Sequence, residues 1–199
     1  MNELLNETFV VFDLETTGLD PKDGNSIIEI GAVRVRNNQI IDRFDELINP
    51  GMELSEEITR ITSITNDMLV GKDTEENVMK RFIEWAKDDI LVAHNAKFDL
   101  SFVDMACFKY SLGRFNFNVI DTLGLSRFLE PSERYHNLTI LMKRYKIDWD
   151  ESKHHRADYD SEGTSLILFE MLKRLKDKNI NTLEELEKKT RIILNKKIV

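Results

Sequence analysis

Phe9-Val10-Val11-Phe12-Asp13-Leu14-Glu15-Thr16-Thr17-Gly18 is the stretch whose reading decides the fold. Its first half is a continuous apolar run, as expected for a strand buried on both faces of an α/β sheet. Its second half carries two carboxylates and then a turn. Side chains alternate along a strand, so Asp13 and Glu15 share one face. The carboxyl end of a buried strand is where α/β sheets place their ligands. Two acids there repel each other unless a partner or a cation neutralises them. Acids at a solvent-exposed strand end are the plainer reading of this pair taken alone.

Outward from that strand, the chain reads as one α/β unit without repeats or low-complexity runs. Residues 26–35 form a second β-rich run. Asn37-Asn38 then supplies a hairpin turn, because asparagine tolerates positive φ, and residues 39–47 return as a third strand. Asn49-Pro50-Gly51 closes the meander. From Thr74 the pattern is an amphipathic helix with Val78, Phe82 and Trp85 on one stripe, widened by Met79, Ile83 and Ala86. Residues 90–93 make a short buried strand, followed by a helix over about 98–112. A fifth strand is expected at 118–120, and helical patterns follow at 122–129, 138–145, 158–175 and 182–194. That order predicts a mixed five-stranded sheet flanked by helices.

Composition narrows the function classes. The 199 residues are 41% hydrophobic and 32% charged, too apolar for disorder and too charged for a membrane protein. A chain this long supports one domain that buries about 70% of its unfolded surface. No stretch approaches the roughly 20 apolar residues a membrane span requires. The start, Met1-Asn2-Glu3-Leu4, lacks a signal-peptide pattern. The single cysteine, Cys107, cannot form an internal disulfide, which fits a reducing, cytoplasmic setting. Oligomeric state is not legible.

The net charge of −8 argues, taken alone, against a simple nucleic-acid-binding surface. The charge is unevenly spread, however. Residues 171–199 hold nine Lys/Arg against four acids, a net of +5, which leaves −13 on the rest. We therefore expect a body over 1–176 and a basic helical extension over 177–199. The extension is either a solvated helix or a surface for a partner or a nucleic-acid backbone.

Two further segments place acids on apolar faces. In His94-Asn95-Ala96-Lys97-Phe98-Asp99, a helix beginning near Phe98 sets Asp99 beside Phe102, Val103 and Ala106, inside the apolar stripe. Capping of that helix is the alternative role for Asp99. In His154-His155-Arg156-Ala157-Asp158-Tyr159-Asp160, Asp160 leads into the row Gly163, Thr164, Ile167 and Met171, whereas Asp158 leads into a polar face. Asp160 thus points inward and Asp158 outward. Physics alone does not choose between the adjacent histidines. Four inward acids on three elements call for cations. Hard divalent ions with oxygen ligands, Mg²⁺ or Mn²⁺, suit an all-carboxylate set better than Zn²⁺. Two such ions about 3.5–4 Å apart can serve an in-line phosphoryl displacement, with a histidine as general base.

These residues resemble the three motifs of the DEDDh family of 3′–5′ exonucleases: Phe12 to Leu19, His94 to Asp99, and His155 with Asp160 five positions on. The resemblance covers roughly residues 7–176 and implies a ribonuclease-H-like exonuclease fold. Ile90 to Ala96, Val119-Ile120-Asp121-Thr122-Leu123 and His154-His155-Arg156-Ala157 look most like the PolC-type proofreading exonucleases of bacterial DNA polymerase III, ahead of its epsilon subunit. By this resemblance Asp13, Glu15, Asp99 and Asp160 ligate two Mg²⁺ or Mn²⁺ ions, and His155 is the general base. Leu14, Thr16, Thr17, His94, Asn95 and Phe98 would contact the 3′-terminal nucleotide. Core packing is the other role open to Phe98. Glu29, an acid inside an apolar strand run, is expected to take a structural hydrogen-bonding role. Ser63 departs from the glycine that relatives often carry there, which questions the local turn. The implied function is hydrolysis at single-stranded or frayed DNA 3′ ends, releasing 5′-monophosphates, with a DNA polymerase as a candidate partner. RNA trimming is the alternative, as is a binding module on the same scaffold. A haloacid-dehalogenase-type phosphatase needs Asp where Glu15 stands and leaves Asp99 and the His155–Asp160 pair unexplained.

Overall fold

A computed structural model describes residues 2–113, 116–148, 150, 155–190 and 193–197. β1 (Thr8–Thr16), β2 (Ile27–Arg36) and β3 (Gln39–Asn49) form an antiparallel meander. β4 (Asp73–Thr74) adds two residues parallel to β3. On the other side of β1, β5 (Ile90–Ala93) and β6 (Asn116–Asp121) continue the sheet in parallel, and β7 (Ile193–Lys197) closes it antiparallel to β6. The strand order is β4-β3-β2-β1-β5-β6-β7, seven strands rather than the expected five, with β4 and β7 added at the two edges. Asn37 and Asn38 both take positive φ (51° and 59°), which supplies the tight β2–β3 turn.

β1 is central, and its sequence shows why. Phe9, Val10, Val11 and Phe12 are all fully buried. Val10 and Phe12 face a core shared with α3 (Glu75–Ala86) and α4 (Ala96–Tyr110), through Met79, Phe82, Leu100 and Phe102. Phe9 and Val11 face a second core shared with α5 (Thr122–Leu129), α6 (Leu138–Tyr145) and α7 (Ala157–Leu175), through Leu125, Leu141, Leu168 and Phe169. Each fully buried large side chain is worth about 1.5–3 kcal/mol, so this run anchors both layers.

Two segments differ from the sequence expectation. Residues 51–72 carry no periodic pattern, yet they fold into α1 (Glu56–Thr62) and α2 (Asn66–Leu69). Ser55 caps α1 by accepting from the Ile58 N–H, and Thr65 caps α2 by accepting from the Met68 N–H. Both helices are too short for a periodicity to register. Ser63 sits at the C-terminus of α1 with φ 61°, a conformation that suits glycine and that serine adopts here at some cost. The second difference is the tail. The helix expected to run to residue 194 ends earlier: α8 (Leu183–Thr190) stops, and Ile193–Lys197 become β7. The β-branched, apolar run at residues 192–194 favours a strand, and the otherwise unpaired edge of β6 gives it a partner. The extension is therefore not helical throughout. Arg191, Ile192, Ile198 and Val199 lie outside the described residues.

Candidate active site

The site forms at the carboxyl end of β1. In the β1–β2 ladder Asp13 stands opposite Gly31 and Glu15 opposite Glu29, and the register shifts directly after Glu15. Glu15 is only 8% exposed, whereas Asp13 is half-buried. A cavity of about 350 Å³ opens there. Asp13, Glu15, His94, His155 and Asp160 are among its ionisable lining, and Leu14, Leu19, Ile58, Ile61, Phe98 and Leu138 among its apolar lining.

Asp99 arrives on the first turn of α4. Asn95 precedes that helix with φ 67°, and the strained turn is fixed from outside by Asp121. Asp121 Oδ1 accepts from the N–H groups of Asn95 (3.0 Å), Ala96 (3.3 Å) and Leu123 (3.1 Å). Asp99 is 2% exposed, with Phe102, Val103 and Ala106 buried beside it, as the helical stripe requires. The backbone N–H groups of Asp99 itself and of Leu14 are near enough to favour its ionised form. Asp99 does not line the cavity. It stands behind Asp13, close enough to be the strongest charged influence on that group.

The third element is the entry to α7. Asp160 is 4% exposed and Asp158 half-buried, in line with the facing argued from sequence. His155 has φ 67°, an uncommon conformation for a residue with a Cβ, and its N–H donates to Asp160 Oδ2 at 3.1 Å. What holds this turn is Glu29, fully buried on β2. Glu29 Oε1 accepts from Arg156 Nη2 (2.6 Å) and Nε (3.0 Å), and Oε2 accepts from the Ala157 N–H (3.0 Å). Gly31 makes the approach physically feasible. A Cβ there would lie 2.0 Å from Asp158 N and 2.1 Å from the Ala157 carbonyl carbon. The His155 ring is exposed at the cavity mouth. One of its ring nitrogens and one carboxylate oxygen each from Glu15 and Asp160 all lie within 4.8 Å of one another.

Electrostatics mark the same place. Burial raises Glu15 to about 8, reinforced by Glu29, Asp160 and Asp99, with Arg156 opposing. Burial likewise raises Asp99 to about 8, against the two N–H groups that favour its ionised form. Asp13 is raised well above the ordinary carboxylate range by burial and then by Asp99, Glu15 and Asp160. Carboxylates crowded this way ionise together only when cations join them. The oxygen-rich donor set, with one histidine at the edge, fits hard divalent ions. Burial lowers His94 to about 4, so its ring is neutral at pH 7.

Comparison with known proteins agrees with this geometry. Residues 10–168 match the Exonuclease (RNase_T) family. The chain belongs to that family. DNA polymerase III PolC-type of Bacillus cereus is 44% identical over 183 residues, 92% of this chain and 12% of the relative. The Staphylococcus aureus PolC-type chain is 43% identical over 94% of this chain and 13% of its own length. The chain thus spans about an eighth of the curated relatives it matches. Among solved structures, the nuclease domain of 3′hExo, a DEDDh family member bound to rAMP, has TM-score 0.74 at 22% identity, covering 89% of this chain and 96% of that one. Exonuclease X in complex with 5′-overhanging duplex DNA has TM-score 0.65 at 26% identity, covering 83% of this chain and 91% of that one. The fold is ribonuclease-H-like, the protein is a nuclease-type hydrolase, and the family is metal-dependent.

On this exonuclease scaffold, the expected site residues separate into groups. Asp13, Leu14, Glu15, Thr16, His94, Phe98, His155 and Asp160 meet around one cavity. Thr17 is occupied elsewhere: its Oγ1 accepts from the Ser26 N–H at 3.0 Å. Asn95 lines a neighbouring cleft with His94 rather than the cavity itself. His154 lies outside the described residues. Phe98 packs against the core, 5.3 Å from the Phe102 ring, and also lines the cavity. Sequence reasoning missed Leu19, Ile58, Ile61 and Leu138, and it missed the positioning roles of Gly31, Asp121 and Arg156. Leu19 is 85% exposed and Ile61 43% exposed, yet large apolar residues at a cavity rim have no signature in a linear pattern.

Proposed function

We propose that the chain is a metal-dependent 3′–5′ exonuclease that hydrolyses single-stranded or frayed DNA 3′ ends and releases nucleoside 5′-monophosphates. The observation that carries this is the meeting of Asp13, Glu15, Asp160 and His155 around one cavity of nucleotide scale, in a chain of the exonuclease family. Asp13, Glu15, Asp99 and Asp160 would hold two divalent ions, Mg²⁺ or Mn²⁺. When bound, such ions stabilise charge on the attacking and leaving oxygens of a phosphodiester. His155 would take the proton of the attacking water at its ring and pass it to solvent, which its exposure permits. The turn held by Glu29 and Gly31 keeps that ring beside Glu15 and Asp160. Leu14 and Thr16 would position the terminal nucleotide, with Phe98, Ile58 and Ile61 against its base and sugar. His94, neutral at pH 7, adds no charge against the phosphate.

The PolC-type relatives support proofreading alongside a DNA polymerase, and the one buried cysteine suits a cytoplasmic setting. Among the described residues no helix is long and apolar enough to cross a membrane. The test is a time course on labelled DNA and RNA oligonucleotides with Mg²⁺, Mn²⁺ or chelator. Stepwise shortening of DNA from the 3′ end, absent in chelator, is the expected result. Preferential shortening of RNA would reassign the substrate, and no shortening of either would overturn the reading.

A further inference from the structure

A second cleft, of about 510 Å³, adjoins the first, and His94 and Leu138 belong to both linings. Its remaining surface is unlike the rest of this acidic molecule. Arg127 and Arg134 line it, as do Tyr135 and Asn95, and no carboxylate does. Arg34, Arg43, Arg81, Arg144, Arg156 and Arg174 all sit on carboxylates. Arg127 and Arg134, like Arg36 and Arg60, have no carboxylate partner among the described residues, and these two share one cleft. Tyr135 is 56% exposed, with the Arg134 guanidinium 5.2 Å from its ring centroid.

The segment presenting these side chains is firmly anchored. Glu130 accepts from Arg144 (2.6 Å) and Arg174 (2.5 Å). The Tyr135 carbonyl accepts from Arg144 Nη2 at 2.7 Å, and Asn137 Oδ1 caps α6 through the Ile140 N–H at 2.9 Å. The aromatic ring and the two cations therefore face outward from a backbone fixed on both sides. Holding them there against solvent serves no packing purpose.

We propose that this cleft is the path of the polynucleotide behind the terminal nucleotide: Tyr135 stacks on a base, and Arg127 and Arg134 take up phosphates. The inference rests on the exonuclease reading. A cavity of about 350 Å³ accommodates one nucleotide, and a 3′ end continues in a single direction. The rest of the strand must leave through an adjoining opening, and a polyanion leaves a region of net charge −13 over residues 1–170 most favourably past unpaired cations. An aromatic platform with flanking arginines holds single strands without reading sequence, as a degradative enzyme requires.

The test compares a single-stranded DNA 10-mer with thymidine 5′-(4-nitrophenyl phosphate), a phosphodiester with no nucleotide behind the reacting group. Tyr135→Ala and the double variant Arg127→Ala/Arg134→Ala should each raise KM for the 10-mer by about 10-fold, given the strength of base stacking and phosphate contacts. The arginine variant should also flatten the salt dependence of that KM, and Tyr135→Phe should restore the wild-type value. The 10-mer to small-diester activity ratio should fall accordingly. Equal losses on both substrates, or no loss on either, would overturn the proposal while leaving the nuclease reading intact. If the unsubstituted protein hydrolysed neither of these substrates nor an RNA 10-mer, the nuclease reading would fail and the strand path with it.

Discussion

The acids on β1 and α4 and the turn that carries His155 meet in one site but are held there by opposite means. Asp13 and Glu15 extend from a strand whose preceding four residues are fully buried, and Asp99 stands among buried apolar side chains on α4. Their placement is a by-product of core packing, so it is as firm as the core itself. The 155–160 turn has positive φ at His155 and, among the described residues, no comparable apolar anchor just before Ala157. It is held by the buried Glu29, by Arg156 across from it, and by the absence of a side chain at Gly31. The proposed cation ligands Asp13, Glu15 and Asp99 are thus built into the core, while the proposed base, His155, and the fourth proposed ligand, Asp160, are fastened to its outside by a few polar contacts.

The proposed roles cut across that contrast and predict different losses. Asp13→Ala and Asp160→Ala should reduce turnover by more than about 10³-fold, a barrier increase above about 4 kcal/mol, and should also weaken Mn²⁺ binding measured by calorimetry. His155→Ala should slow hydrolysis by about 10²–10⁴-fold while Mn²⁺ binding largely survives. A His154→Ala variant that lost more activity than His155→Ala would reverse the assignment of the base. Full activity in either Asp variant would remove the cation-site reading.

The next effect tests the fastening itself. In Gly31→Ala the new methyl would overlap the backbone at Ala157 and Asp158, so the start of α7 must move. Overpacking of this kind costs about 1–3 kcal/mol of stability. The displacement acts on His155 and Asp160, so kcat should fall by about 10²-fold, the loss associated with misplacing a reacting group by about 1 Å. A control at Gly71, where an added Cβ would meet nothing within 4 Å, carries only a backbone penalty from its positive φ and should retain kcat. Comparable kcat in the two variants would show that the close approach at Gly31 does not position the turn.

The same division explains what was legible in the sequence. The β1 run, the Asn37-Asn38 hairpin and α6 follow from local pattern, since apolar periodicity and turn chemistry are properties of neighbouring residues. The inward facing of Asp160 came from helical spacing alone. Gly31, Asp121 and Arg156 act across separations that no local pattern records: Arg156 meets Glu29 over 127 positions, and Asp121 meets Asn95 over 26. β7 escapes a local reading for a related reason. The lysine-rich tail with helical spacing suggests a helix, and the short apolar run within it pairs as a strand because β6 offers an open edge.

The smallest effect separates the two regions by stability rather than rate. Glu15 and Asp99 ordinarily titrate near 4.5 and 3.8, and burial among other acids raises both to about 8. Unfolded chains release those protons near pH 4, whereas the folded protein without divalent ions retains them up to about pH 8. Their contribution to stability is therefore complete below about pH 4 and is lost as the pH rises towards 8. In chelator, Tm should fall between pH 6 and pH 8, by about 2–4 °C for each kcal/mol lost in a chain of this size. Mg²⁺ or Mn²⁺ should raise Tm more at pH 8 than at pH 6, because the ions bind the ionised carboxylates. Glu15→Gln should flatten the chelator profile, while His155→Ala, which leaves the buried acids in place, should keep its sign. A Tm in chelator that did not fall over this range would mean that the acids are relieved by something other than cations. The reading of Glu15 and Asp99 as core-built cation ligands would then not hold.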